Sequence, residues 1–292
     1  MSRIVVLGDL NLDIHATIPG GLLPGDEVRD AVVVRPGGSA GTFARIASTL
    51  GASVTFIGAV GDDLVGNLLE DSLRQSMGIT AKLRRCGLPS GAVLAIQQGN
   101  ERSMVCSRGA NDGLTETWVS TSFPDAAEHL HVSGYTLLSA PQRAAAIRAF
   151  ALAVSRELSI SIDPPPASLL RAFGVETFRA LLPQGAWLFP NLSEGQLLSG
   201  RVDVPDIIRQ LSAQYPVGAL TLGEDGATAW SGDLQHHQDS DPLADVDTTG
   251  AGDVYAATFV IELLGSGCLR QANAKACHAA SSMLRERLRT GA

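Results

Sequence analysis

The stretch Asp247-Thr248-Thr249-Gly250-Ala251-Gly252-Asp253-Val254 runs straight into the apolar segment Tyr255 to Leu264 and reads as a glycine turn opening a helix, with one carboxylate at its exit. Gly250 and Gly252 let the backbone turn sharply and present successive N–H groups, and the positive end of the following helix points at the same spot. Such a turn binds an anion. Asp253 then stands where a carboxylate faces whatever approaches that anion, which suits a base that takes a proton from an attacking hydroxyl. Phosphoryl transfer is the economical reading, and an ordinary glycine-rich turn before a core helix is the alternative.

Outward from this turn, short apolar strands alternate with stretches of helical period. Strands are expected at Ile4 to Leu7, from Val54 to Ile57, at His129 to Ser133, at Ile160 to Asp163, at Trp187 to Phe189 and at Gly218 to Leu222. Helical spacing links Phe43, Ile46, Ala47 and Leu50, recurs over Leu64 to Leu73 and the alanine-rich residues 141–157, and closes the chain over 251–264 and 271–288. This alternation predicts an α/β fold of three layers, α/β/α, with a mostly parallel central sheet. Two regions break the rhythm: Val28 to Arg35, and Gly91 to Gln97 with Arg102 to Ser107 around a Gly99-Asn100 turn, have strand character with no helix between.

A chain of 292 residues can bury a substantial core as one large domain with an elaboration. Lys82 and Lys275 are the only lysines beside twenty arginines, so the available cations are guanidinium groups and a lysine-led mechanism is not expected. Positive potential in the cleft is therefore expected from backbone amides and a bound metal. The net charge of -8, with no basic run, argues against nucleic acid and anionic membrane as partners. No apolar run reaches membrane-spanning length, and the first residues lack a signal-peptide layout, so a cytoplasmic location is expected. Cys86, Cys106, Cys268 and Cys277 lack the paired spacing of a zinc or dithiol site. There is neither a Gly-x-x-x-x-Gly-Lys-Ser/Thr loop nor a protein-kinase signature set.

The opening stretch resembles the second signature of the PfkB, or ribokinase-like, carbohydrate kinases, and further segments resemble that family in its own order. Gly8-Asp9-Leu10-Asn11-Leu12-Asp13 is similar to its first strand and substrate-binding aspartate, and Gly37-Gly38-Ser39-Ala40 to its double-glycine segment. Gly58 to Asp63 followed by Gly66 resembles its first signature, Gly109-Ala110-Asn111 a segment after the second lid strands, Asn191-Leu192-Ser193-Glu194 its metal-organising motif, and Thr221 to Gly226 its nucleotide-side strand and turn. The resemblance implies one ribokinase-like domain over 1–292, with a small β lid made of about 14–36 and 88–108. It implies an enzyme that uses ATP and magnesium to phosphorylate the primary hydroxyl of a small sugar, leaves a monovalent cation open, and allows a homodimer through the lid. A nucleoside kinase and a catalytically silent sugar-binding protein are the alternatives.

On this resemblance Asp13 holds sugar hydroxyls, with Asn11, Gly37, Gly38, Ser39, Thr42 and Asn111 as further substrate residues and Asp253 as the base. The amides of Gly250, Ala251 and Gly252 form the anion pocket, while Thr249, Thr221, Gly223, Gly226, Asn191, Asn273 and Cys277 flank the nucleotide. Glu194, with Asn191 and Asp163, organises magnesium. Taken as residues alone, Ser39, Asp62 and Asp63 are candidate helix caps, Asn191 and Glu194 suit a capping arrangement, and Arg108 is expected to face solvent or, if turned inward, to suit a carboxylate or phosphate on the substrate. Two departures from the family stand out. Thr42 replaces an asparagine and offers only a hydroxyl, and Pro164-Pro165-Pro166 follows Asp163 where the family carries asparagine and arginine.

Overall fold

In the computed structural model, which describes residues 1–18, 25, 27–29, 32–98, 101–241 and 248–290, the first strand β1 (Arg3–Leu7) already shows the layering. Successive side chains of a strand face opposite ways. Val5 and Leu7 enter one apolar core, Ile4 and Val6 the other, and all four are buried. A strand apolar on both faces belongs in the middle of a covered sheet.

The remaining strands, in chain order, are β2 (Asn11–Thr17), β3 (Val32–Gly37), β4 (Ser53–Gly61), β5 (Ile79–Cys86), β6 (Gly91–Gln98), β7 (Glu101–Ser107), β8 (His129–Ser133), β9 (Ser159–Asp163), β10 (Trp187–Leu188), β11 (Val217–Thr221), β12 (Ala227–Ser231) and β13 (Leu234–Gln238). With β1, eight of them form a nine-stranded sheet in the order β13-β12-β11-β10-β9-β8-β1-β4-β5. It is parallel from β5 to β11, and β12 and β13 continue it antiparallel. One face is covered by helices including Ala140–Ser155 and Val204–Ser212, the other by helices including Ser39–Thr49, Leu64–Arg74, Ala251–Ser266 and Leu269–Thr290. This is the expected α/β/α architecture.

The two rhythm-breaking regions meet in a second, four-stranded sheet of order β3-β2-β6-β7, in which β2 pairs parallel with β6. Its strands differ in extent from the sequence reading. The strand expected from Val28 begins at Val32, and Asp13, expected just past the first strand, lies inside β2 opposite Arg35. The Gly99-Asn100 turn and Asp247 lie outside the described residues.

A polar cluster crosses the middle of the large sheet. His129 Nδ1 and Nε2 lie 2.7 Å from the Ser159 and Ser161 hydroxyls, and His131 Nδ1 lies 2.9 Å from Ser161 Oγ. The His131 ring stacks on Phe43, centroids 3.5 Å apart, and its Nε2 has no hydrogen-bond partner. Burial holds both imidazoles neutral, pushing His129 down to about 3 and His131 well below its ordinary range. An unfolded chain protonates these rings below about pH 6.5, so acid favours unfolding until the depressed folded value is reached. Between pH 6.5 and pH 5.0 the parent should therefore lose about 2 kcal/mol more stability than a His129→Asn variant, read from urea unfolding at the two pH values. Equal pH dependence in the two proteins would show that His129 titrates normally in the fold.

Candidate active site

The carboxyl ends of the parallel strands open on one cavity of about 460 Å³. Asp9 follows β1, Tyr135 follows β8, Asp163 ends β9, Phe189 and Asn191 follow β10, and Thr221 ends β11; all line it. This is where open α/β sheets place ligands. The small sheet forms the facing wall through Asp13 and His15 of β2, Arg35 of β3, Val93 of β6, and Met104 and Cys106 of β7.

Two helix starts complete the cavity. Gly250 adopts a left-handed conformation (φ 77°) at the head of helix Ala251–Ser266, which only glycine takes without strain, and Gly252 follows in the first turn. The Ala251 amide donates to the Thr248 carbonyl at 3.1 Å, so it closes the turn. The amides of Gly252 and Asp253 come next, in the part of a helix that lacks intrahelical carbonyl partners. Arg287, from the last helix, donates Nη1 to the Thr249 carbonyl at 2.6 Å and lines the same cavity.

The second start, Gly37-Gly38-Ser39, packs against Asp9 and Asp13. Gly38 (φ 85°) is the N-cap of helix Ser39–Thr49, and a side chain there would strike the Asp9 carbonyl. A side chain at Gly37 would displace the Asp13 carboxylate. Ser39 does not cap its helix; its hydroxyl donates to Asp253 Oδ1 at 2.7 Å. The capping expected of Asp62 or Asp63 falls to Asp63, which accepts from the Gly66 amide at 2.7 Å.

Four carboxylates face the cavity in addition to Asp9: Asp13, Asp163, Glu194 and Asp253. Burial pushes Asp253 up to about 6, against the lowering effect of the Ser39 and Asp163 hydrogen bonds and the Arg45 charge. Burial, then the charges of Asp253 and Glu194, push Asp163 well above the carboxylate range. Asp163 and Asp253 share a side-chain hydrogen bond, and burial favours the protonated form of each. Glu194 is raised to about 7, chiefly by burial, despite its bonds to Asn191. Those bonds form a complete capping box, Glu194 N–H to Asn191 Oδ1 at 3.0 Å and Asn191 N–H to Glu194 Oε2 at 3.0 Å, so the capping alternative holds while the same glutamate borders the cavity. Among the described residues no three His, Cys, Asp or Glu side chains cage a metal by themselves. Buried carboxylates that hold protons this readily are a fit for a cation that keeps water ligands and shares phosphate oxygens, as magnesium does.

Asn111 is fully buried; its Oδ1 accepts from the Leu10 amide at 3.1 Å and its Nδ2 donates to Asn11 Oδ1 at 2.7 Å, tying the start of β2 to the helical turn Gly109–Gly113 that follows β7. Arg108 takes the inward of its two expected orientations, but protein groups occupy it. It donates to Asp112 at 2.9 Å, to the Tyr135 carbonyl and to Gln142, and lies 3.7 Å from Asp9. Asn11, Thr42, Thr221, Thr249 and Gly252 line the cavity as expected, whereas Gly223, Gly226, Asn273 and Cys277 stand outside its lining. Asn273 is buried, bonded to the Tyr255 hydroxyl at 2.7 Å and to the carbonyls of Ala227 and His236, and the Cys277 thiol packs toward the Gln238 carbonyl. All four cysteines are free of disulfides.

Sequence reasoning missed Asp9, His15, Arg35, Arg45, Tyr135, Phe189 and Arg287. Tyr135 stands just past one expected strand and Phe189 ends another, and Arg45 lies one helical turn beyond Thr42, so their positions were findable; Arg287 reaches the glycine turn only through tertiary packing. The four cavity arginines, Arg35, Arg45, Arg108 and Arg287, correct the expectation that positive potential comes from amides and metal alone.

The fold agrees with comparisons to known proteins. The chain is 26% identical to a ribokinase from Bacillus subtilis, over 90% of this chain and 86% of that one, and 28% identical to a fructokinase from Escherichia coli, over 91% and 86%. Its fold superposes on the adenosine kinase from Sinorhizobium meliloti with a TM-score of 0.83 at 21% identity, covering 97% of this chain and 94% of that one. It superposes on a putative ribokinase II from E. coli, solved with ATP and magnesium, with a TM-score of 0.84 at 21% identity, covering 97% and 93%. The model of the pfkB family carbohydrate kinases matches residues 1–290, and the chain belongs to that family.

Proposed function

We propose that this chain transfers the γ-phosphoryl of ATP to the primary hydroxyl of a small sugar. The observation that carries the reading is the Asp253 carboxylate, gripped by Ser39 at the mouth of the glycine turn in a cavity that also presents Asp13. Asp13 accepts hydroxyls of the sugar, and Asp253 accepts the proton of the hydroxyl that attacks. A bond forms from that oxygen to the γ-phosphorus, the bond from phosphorus to the bridging oxygen breaks, and ADP leaves. The amides of Gly252 and Asp253, with Arg287 behind the turn, stabilise charge on the transferring group. Glu194, Asp163 and Asn191 would hold a magnesium ion through its waters, and that ion would neutralise the phosphates. The four-stranded sheet acts as a lid that excludes water during transfer.

Asp253→Asn should lower turnover by about 10² to 10⁴ while nucleotide still binds, since a positioned base commonly supplies that much. In the parent, activity should fall as the pH drops through about 6, where the base takes up a proton. An acceptor screen over pentoses, hexoses, sugar acids, sugar phosphates and nucleosides checks the reading; turnover of nucleosides with none of the sugars would replace the acceptor class. Near-parental turnover by Asp253→Asn would remove the base.

Glu194→Gln separates the metal role from the cap. Glutamine keeps the size and much of the hydrogen bonding but not the charge, so the magnesium concentration for half-maximal rate should rise and the maximal rate should fall. Superimposable magnesium titrations, with only a lower melting temperature, would leave Glu194 a capping residue.

The same lid suits a homodimer. Its face away from the cavity carries one row across all four strands, Val34, Ile14, Leu94 and Val105 in register, and Val34 is 54%, Leu94 37% and Val105 67% exposed. An apolar row of this length is costly in water and is covered by a second copy. Sedimentation at micromolar concentration should give a dimer for the parent and a monomer for the double variant Val34→Asp, Val105→Asp; a monomeric parent would exclude this interface.

A further inference from the structure

We propose that Arg45 receives an acidic group of the acceptor, so that the sugar this chain phosphorylates carries a carboxylate or a phosphate; the inference rests on the kinase reading above. Helix Ser39–Thr49 carries Thr42 and Arg45 on one face, one turn apart, and both line the cavity. Thr42 offers a single hydroxyl where an amide would offer more donors. Arg45 supplies a guanidinium beside it. Nη2 donates to the Pro36 carbonyl at 3.1 Å, whereas Nη1 is sealed from solvent and has no hydrogen-bond partner.

A buried guanidinium is costly unless an anion or acceptor completes it. The other three arginines of the cavity are engaged differently: Arg108 with Asp112, Gln142, the Tyr135 carbonyl and Asp9, Arg35 beside His15 with Nη2 3.2 Å from Nε2, and Arg287 with the Thr249 carbonyl at the glycine turn. Asp13 and Asp253 act on Arg45 through space, Asp13 the more strongly, and neither is a hydrogen-bond partner of it. An anionic oxygen could come from the acceptor or from the transferring phosphoryl. Position favours the acceptor. Arg45 is fastened to Pro36, next to Gly37, which packs directly against the Asp13 carboxylate, while the phosphoryl lies at the glycine turn with its own amides and Arg287.

Calorimetry in the presence of magnesium and a non-hydrolysable ATP analogue tests this with two matched pairs, D-glucose with D-gluconate and D-fructose with D-fructose 6-phosphate. The parent should bind the acidic member of at least one pair at least about tenfold more tightly than its neutral partner, as a charge-assisted bond to a buried guanidinium requires. Arg45→Met, which keeps the aliphatic stem, should bring that ratio to within about threefold, and Arg45→Lys should keep part of it. Retained affinity for the ATP analogue reports that the variants are folded. A parent that binds the neutral members as tightly as the acidic ones overturns the inference without any variant and leaves the kinase reading standing. An Arg45→Met protein that keeps the acid preference but loses the ATP analogue overturns it too, because the guanidinium then serves the phosphoryl. Turnover of nucleosides alone overturns both this inference and the sugar reading.

Discussion

The hydrogen bond from Ser39 to Asp253, 2.7 Å long and spanning 214 residues of sequence, is the constraint on which the site depends. It joins the first turns of two helices that pack on each other in one core layer, to which both contribute small side chains such as Ala40, Ala44, Ala256 and Ala257. Alanines let the helices approach closely, so the carboxylate at the head of one lies within reach of the hydroxyl at the head of the other. Glycine does the rest. Gly38 and Gly250 hold backbone conformations that aim both helix starts into the cavity, and neither position accepts a side chain without strain.

Around that bond the protein gathers more negative charge than a buried site tolerates. Asp163, Glu194 and Asp253 border one cavity, and each holds its proton more tightly than an ordinary carboxyl group. Their crowding is relieved when cations arrive: the guanidinium of Arg45 stands nearby already, and a metal brought with phosphates would release the remaining protons. Pro164 and Pro166 line the cavity next to Asp163, and a side chain at Gly134 would strike Pro165. The proline run supplies a stiff wall in place of polar contacts.

Much of this was legible in the sequence because it depends on local rules. The alternation of apolar strands and helical stretches gave the three layers, and the spacing of Gly250, Gly252 and Asp253 identified the glycine turn that heads a helix at the cavity. What escaped depends on contacts between distant segments. Ser39 read as a helix cap because serine before a helix commonly caps it, but the tertiary partner Asp253 took the hydroxyl instead. Arg108 read as facing solvent or substrate, but Asp9, Asp112 and Gln142 hold it. Asn191 and Glu194 allowed two readings; the capping box is formed, and it sits on the cavity wall.

The central claim is that Asp253 is a buried carboxylate poised to accept a proton and governed by the charge placed beside it. Carbon-13 NMR of aspartate-labelled protein, with the Asp253 resonance assigned by its loss in Asp253→Asn, measures this directly. The account predicts titration near pH 6 in the ligand-free protein, moving to lower pH when magnesium and ADP are added. Titration near the ordinary aspartate value of about 4 in both states would contradict it.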